Sequence, residues 1–209
     1  MASPLNVTVR NLTGSWALNQ TLSSSPSPAL ELQGVSWLVR SAIASAPVTI
    51  TTEQSETLDE KVGNEITTIA STQSTLGRTV DDVKYLKRGP DGEGQWSDEE
   101  EIKDHPLFGS MSVRSRWARM RKSTLDEKFT IEGMNDEAEV GEGEEDDEAT
   151  EEEVIEVIVH GTTGGWISHQ IWAFEEIDGQ RYHTRRARVT KDEKVVTVRM
   201  VYDWQGHGN

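Results

Sequence analysis

The first fifty residues carry two different hydrophobic periods, one after the other. In Leu12-Thr13-Gly14-Ser15-Trp16-Ala17-Leu18 apolar side chains recur at every second position, which predicts a strand over 12–20. A Ser/Pro-rich turn follows, and then Leu32, Val35, Val39, Ala42, Ile43 and Ala46 recur at helical spacing over 29–46. Gly34 weakens a single long helix there, so two short helices with a bend are an equal reading. Pro47 ends the segment, and Pro47-Val48-Thr49-Ile50 opens a second strand. A strand followed by helix, with strands alone after it, leaves few folds open. Curling one antiparallel sheet into a barrel removes its exposed edges, and the helical segment then lies over one end as a lid.

The rest of the chain fits that expectation. Strands are predicted over 48–57, 62–73, 78–88, 109–120, 154–160, 168–177, 180–190 and 194–204, with a short one over 129–132 and an uncertain polar stretch at 95–103. Gly89-Pro90-Asp91-Gly92 marks a turn. Asp178-Gly179 and Lys191-Asp192-Glu193 are short enough to close hairpins. The expected fold is therefore all-β: about ten strands in an antiparallel up-and-down barrel, one domain over 1–209, with the only helix after the first strand.

Charge is concentrated. The net charge is -16, yet twelve acidic residues and no basic one lie between Asn135 and Glu153, leaving an excess of only four elsewhere. Such a run repels itself and cannot bury apolar area, so 135–153 is expected to be a disordered insertion between strands. It lacks the Asp-x-Asp-x-Asp-Gly order of a calcium loop, and no metal site is expected. It could lie across the basic stretch Arg114, Arg116, Arg119, Arg121 and Lys122, or recruit a basic protein partner. The acidic balance argues against a nucleic-acid partner. Without cysteine, thiolate catalysis and cysteine-ligated zinc are excluded. No stretch approaches the roughly 20 apolar residues of a membrane span, and residues 1–10 lack a secretory pattern, so a cytoplasmic protein is expected.

These residues resemble a family. The segment from Leu12 to Leu18 is similar to the opening strand of the calycins, whose Gly-x-Trp is shared by lipocalins and fatty-acid-binding proteins. Gly34-Val35-Ser36-Trp37-Leu38-Val39-Arg40 resembles the helical lid of intracellular fatty-acid-binding proteins. Phe174-Glu175-Glu176-Ile177-Asp178-Gly179 through Val195-Val196-Thr197-Val198-Arg199 resembles their last three strands. The order of these segments carries the likeness more than any one motif. The chain is also similar to lipocalin-like proteins of filamentous fungi.

The resemblance implies a lidded barrel around a hydrophobic small molecule, with a carboxylate site of two arginines and a tyrosine. Arg199 matches one of those arginines. Phe174 stands where the other is expected and Val201 where the tyrosine is, while Tyr202 has the opposite parity and is expected to point away. If Arg199 faces inward, Thr197 and Val195 do too, and His183 and Arg185 face in from the strand before. Trp172 and Phe174 would complete an aromatic wall, with Trp37 looking down from the lid. His183 between arginines is then a candidate general base or hydrogen-bond donor, with the arginines steadying an enolate or carboxylate. The inverse register stays open, because one bulge exchanges the faces: Arg181, His183 and Arg185 would then face solvent, and Met200, Tyr202 and Trp204, the more apolar face of the last strand, would point inward.

Three functions fit. The chain could bind a lipid or lipophilic metabolite, or act as a cofactor-free isomerase or cyclase on such a molecule, as fungal lipocalin-like proteins do. It could also be an interaction protein using its acidic loop. No phosphate-binding glycine loop or catalytic motif implies a cofactor.

Overall fold

Period-two alternation becomes eleven strands of one antiparallel sheet in the computed structural model, which describes residues 1–60, 62–130 and 151–207. Strand β1 (Gly14–Leu18) is followed by helices α1 (Ser27–Leu32) and α2 (Trp37–Ser45). Strands β2 (Val48–Asp59), β3 (Asn64–Thr75), β4 (Arg78–Arg88), β5 (Gly94–Gln95), β6 (Glu100–His105) and β7 (Gly109–Met120) come next. Helix α3 (Lys122–Lys128) precedes β8 (Glu152–Gly161), β9 (Trp166–Ile177), β10 (Gln180–Lys191) and β11 (Lys194–Gly206). Each strand pairs with its sequence neighbour except at one join, where β1 lies beside β11. The ladder runs β5-β4-β3-β2-β1-β11-β10-β9-β8-β7-β6.

The sheet curls until β4 meets β7. Ser115 Oγ donates to the Tyr85 carbonyl at 2.8 Å, and Ser97 N–H donates to the Ser115 carbonyl at 2.8 Å. A Cβ at Gly94 would lie 2.0 Å from the Trp117 carbonyl oxygen, so only glycine permits this approach. Gly14 is held for a similar reason. Its φ is 150°, and a Cβ would sit 2.1 Å from the Trp204 ring. The Gly-x-Trp pair is thus one packing unit, with Trp16 and Trp204 edge to face at 4.7 Å.

The inner face holds the main core, including Ile50, Ile69, Leu86, Val113, Trp117, Ile155, Val157, Trp172, Ala187, Val198 and Tyr202. Val7, Val9 and Leu12 close the end where β9 turns into β10. There Arg181 donates to the Pro4 and Val7 carbonyls at 3.0 and 2.7 Å. At the opposite end α1 adds Ala29 and Leu32 to the core, and its Glu31 feels the charge of Lys194 in the β10–β11 hairpin. The all-β barrel with helix after its first strand is the architecture that forms. Of the two helical readings, the bent pair is observed, with Gly34 at φ 85° between the helices.

Several expectations are corrected. A third helix exists: residues 122–128 have no β-alternation, and Leu125 and Phe129 pack on the sheet's outer face against Met120, Val154, Ile171 and Ala173. Phe129 therefore caps a helix instead of opening a strand, and 131–132 lie outside the described residues. The polar 95–103 stretch contributes β5 and part of β6. Most of the acidic run, 135–150, lies outside the described residues, but Glu152 and Glu153 belong to β8. Glu153 pairs with Arg10 at 2.5 Å and Arg88 at 2.6 Å.

Candidate functional site

The inner face of β9, β10 and β11 is fixed by two tight turns. Asp178-Gly179 joins Ile177 to Gln180, and Asp192-Glu193 joins Lys191 to Lys194. Both loops contain two residues, so odd positions on β10 lie opposite even positions on each neighbour. His183 faces Phe174 on one side and Tyr202 on the other, and Arg185 faces Trp172 and Met200.

This register settles where the candidate residues go. His183, Arg185, Trp172 and Phe174 lie together on the inner face, which is one of the two registers the sequence left open. Arg199 is not among them. It lies on the outer face with Thr197 and Val201, where its backbone N–H is bonded by Ser24 Oγ at 2.7 Å. Val195 is half exposed, and Tyr202, expected to point away, faces inward with Met200 and Trp204. The physical reason is the length of the hairpin loop. Three residues, Lys191-Asp192-Glu193, would have placed Arg199 inside, whereas two exclude it. Trp37 is also corrected: it is 70% exposed on α2, because Ala29 and Leu32 of α1 are the helical residues that reach the core.

His183 is 1% exposed and surrounded by rings: Trp16 at 5.1 Å, Phe174 at 5.4 Å, Tyr202 stacked at 5.5 Å and Trp172 at 6.5 Å. Its Nδ1 lies 3.1 Å from the Ala173 carbonyl, and a carbonyl can only accept, so Nδ1 carries the hydrogen. Its Nε2 accepts from Arg185 Nε–H at 3.3 Å. Burial, reinforced by the charge of Arg185, pushes the imidazole well below its ordinary pKa. His183 is thus neutral, and both of its nitrogens are occupied. The free general base that the sequence suggested is not what the geometry provides.

Arg185 is the cationic group of the site. Its guanidinium lies 3.7 Å over the Trp172 ring and 5.3 Å from that of Tyr202. It sits deep in the barrel yet keeps accessible surface. Among the described residues Nε bonds His183, and neither Nη1 nor Nη2 has a hydrogen-bond partner. Burial works against its charge, and the field of Asp82 from β4 partly offsets this. Tyr202 is raised by burial, so it stays protonated; its hydroxyl points at Met200 Sδ, 3.6 Å away.

Asp82 and Lys84, which the sequence reading did not place in the site, face inward from β4 in the same alternation as Leu86. Lys84 is 6% exposed and forms an ion pair with Asp82. The signal was present: Val80, Asp82, Lys84 and Leu86 share one parity, and Leu86 marks it as interior.

No family model matches the chain. It is 28% identical to "Pericyclase pydY" of an Acremonium species over 207 residues, 99% of this chain and 98% of that protein. It is 29% identical to "Probable pericyclase scpY" of Mollisia scopiformis over 212 residues, 98% of this chain and 95% of that protein. Among solved structures, a point mutant of the REP1-NXSQ fatty acid transporter superposes with a TM-score of 0.45 and 13% identity, covering 92% of this chain and 97% of that one.

Proposed function

We propose that the chain is a cofactor-free pericyclase that folds a lipophilic, conjugated substrate inside the barrel and closes a ring in it. The observation that carries this reading is Arg185: a guanidinium laid on Trp172 inside the barrel, whose two terminal nitrogens bond no carboxylate among the described residues. End-to-end likeness to two proteins named as pericyclases supports it.

A pericyclic ring closure moves electrons around one closed loop of orbitals. No proton is lost, no electron is transferred, and reactant and product have one formula. Such a reaction leaves a protein two tasks. The chain ends must be held together, which can supply several kcal/mol as prepaid entropy. Where the alkene is conjugated to a carbonyl, polarising that oxygen lowers the barrier further, which a preorganised donor does best in a site shielded from water. Trp172, Phe174 and Tyr202 offer flat apolar surface for the first task, and Nη1 and Nη2 of Arg185 offer donors for the second. A neutral His183 suits this chemistry, since nothing needs to be deprotonated.

Binding a lipophilic molecule in the barrel is a premise of this reading, and carriage without reaction would use the same walls. The test is isomer conversion. Extracts of the source organism lacking the gene should accumulate a compound with the product's mass but longer-wavelength absorption. Purified protein should convert that compound with no added metal or cofactor. Binding without conversion would leave a carrier.

A further inference from the structure

We propose that His183 is a positioning residue for Arg185: a neutral imidazole held in one tautomer, which takes the guanidinium Nε–H and leaves the two terminal nitrogens for the ligand. This rests on the reading that the barrel interior holds a ligand at Arg185. The Ala173 carbonyl, 3.1 Å from Nδ1, is an acceptor and requires a hydrogen on that nitrogen. Arg185 Nε–H, 3.3 Å from Nε2, is a donor and requires a bare lone pair there. Only the neutral Nδ1–H tautomer meets both conditions.

The rings around His183 fix its plane. Trp16, Phe174 and Tyr202 lie within 5.5 Å, so the imidazole cannot turn away without moving the floor of the barrel. With Nε tethered, the guanidinium keeps its plane over Trp172 at 3.7 Å. An arginine side chain free to rotate would lose several rotamers on binding; a tethered one has already lost them. The charged and titratable groups that act on this pair are Arg181 on the same strand, Tyr202 from β11, and Asp82 from β4 with its partner Lys84. The facing residues of β9 and β1, Phe174, Trp172 and Trp16, carry no charge.

Two measurements test this. Side-chain nitrogen NMR of the full chain should show His183 as the Nδ1–H tautomer, unchanged from pH 5.5 to 8.5. An imidazolium pattern, or the Nε2–H tautomer, overturns the proposal. The second is titration with a fluorescent conjugated-tetraene fatty acid as the carboxylate probe. His183→Gln can still donate to the Ala173 carbonyl and accept from Arg185, so its affinity should stay within about threefold of wild type. His183→Leu should lose about tenfold, the scale of one hydrogen bond, and Arg185→Gln at least as much. Equal affinity in wild type and a folded His183→Leu overturns the positioning role. Failure of wild type to bind this probe or its methyl ester counts against the ligand reading itself, while the tautomer spectrum still decides the state of His183.

Discussion

Arg185 and Arg186 are adjacent in sequence, both lie within the fold, and they sit on opposite faces of β10. Arg186, on the outer face, is bound to carboxylates through Nε and Nη2. Its Nε and Nη2 donate to the two oxygens of Glu175 at 3.0 and 2.5 Å, and Nη2 also meets Asp126 of α3 at 2.8 Å. Thr184 Oγ1 donates to the same carboxylate at 2.5 Å. Burial opposes the charge of Glu175, yet the bonds from Arg186 win and hold its carboxyl below the ordinary range. Among the described residues Arg185, on the inner face, has rings in place of carboxylates and one bond, to a neutral histidine. A buried arginine paired with carboxylates holds structure together. One set on aromatic faces, whose terminal N–H groups have no partner among the described residues, can donate to the ligand proposed above.

The largest expected effect falls on the outer face. Arg186→Met leaves Glu175 buried without its partner, and the cost should be about 3–5 kcal/mol of stability in a urea titration. The folded fraction should still bind probe. Arg185→Met should behave in the opposite way. Replacing an unpaired buried cation by an apolar side chain should change stability by no more than about 1 kcal/mol in either direction. Turnover, however, should fall by about 10²–10³, as when one preorganised donor is removed from a reacting oxygen. If Arg185→Met unfolds the chain and Arg186→Met does not, the contrast between the faces is wrong.

Acid should sharpen the same comparison in two steps. The pKa of His183 is depressed in the fold, so the unfolded chain takes a proton below about pH 6.5 that the folded chain refuses. More protons bound by the unfolded state means stability falls as pH falls, so loss begins in that window. Glu153, Glu156 and Glu175 are also depressed, and they contribute above their ordinary value of 4.5 and are lost as pH drops through their folded values. Urea midpoints of wild type and His183→Gln should therefore converge at pH 7.5 and separate between pH 6.5 and 4.5, with wild type losing more. Parallel curves would mean that His183 is protonated in the fold. The smallest effect belongs to Asp126, whose side chain is 49% exposed. Asp126→Asn should cost less than about 1 kcal/mol by the same urea titration.

How far the sequence could be read depended on the lengths of turns. Asp178-Gly179 is an unambiguous two-residue turn, and it correctly aligned Trp172 and Phe174 with His183 and Arg185. In Lys191-Asp192-Glu193 nothing in the sequence excludes Lys191 from the loop. In the fold Lys191 pairs with Lys194 and only Asp192, at φ 52°, has positive φ. That single residue moved Arg199 out and Tyr202 in. The bonds of His183 were not legible, because the Ala173 carbonyl that fixes its tautomer belongs to the main chain of β9. Helix α3 was missed for another reason. Lys122-Ser123-Thr124-Leu125-Asp126-Glu127-Lys128 is too short for a helical period, and its burial comes from the outer patch it covers.

The most direct test of the account is a rate comparison on the same-mass precursor accumulated by the source organism without the gene. Wild type, Arg185→Met and Arg186→Met are to be compared at equal folded concentration, with conversion followed by loss of the long-wavelength absorption. Wild type and Arg186→Met should convert the precursor at similar rates, with a loss of about 10²–10³ in Arg185→Met alone. Equal conversion by Arg185→Met and wild type would contradict it.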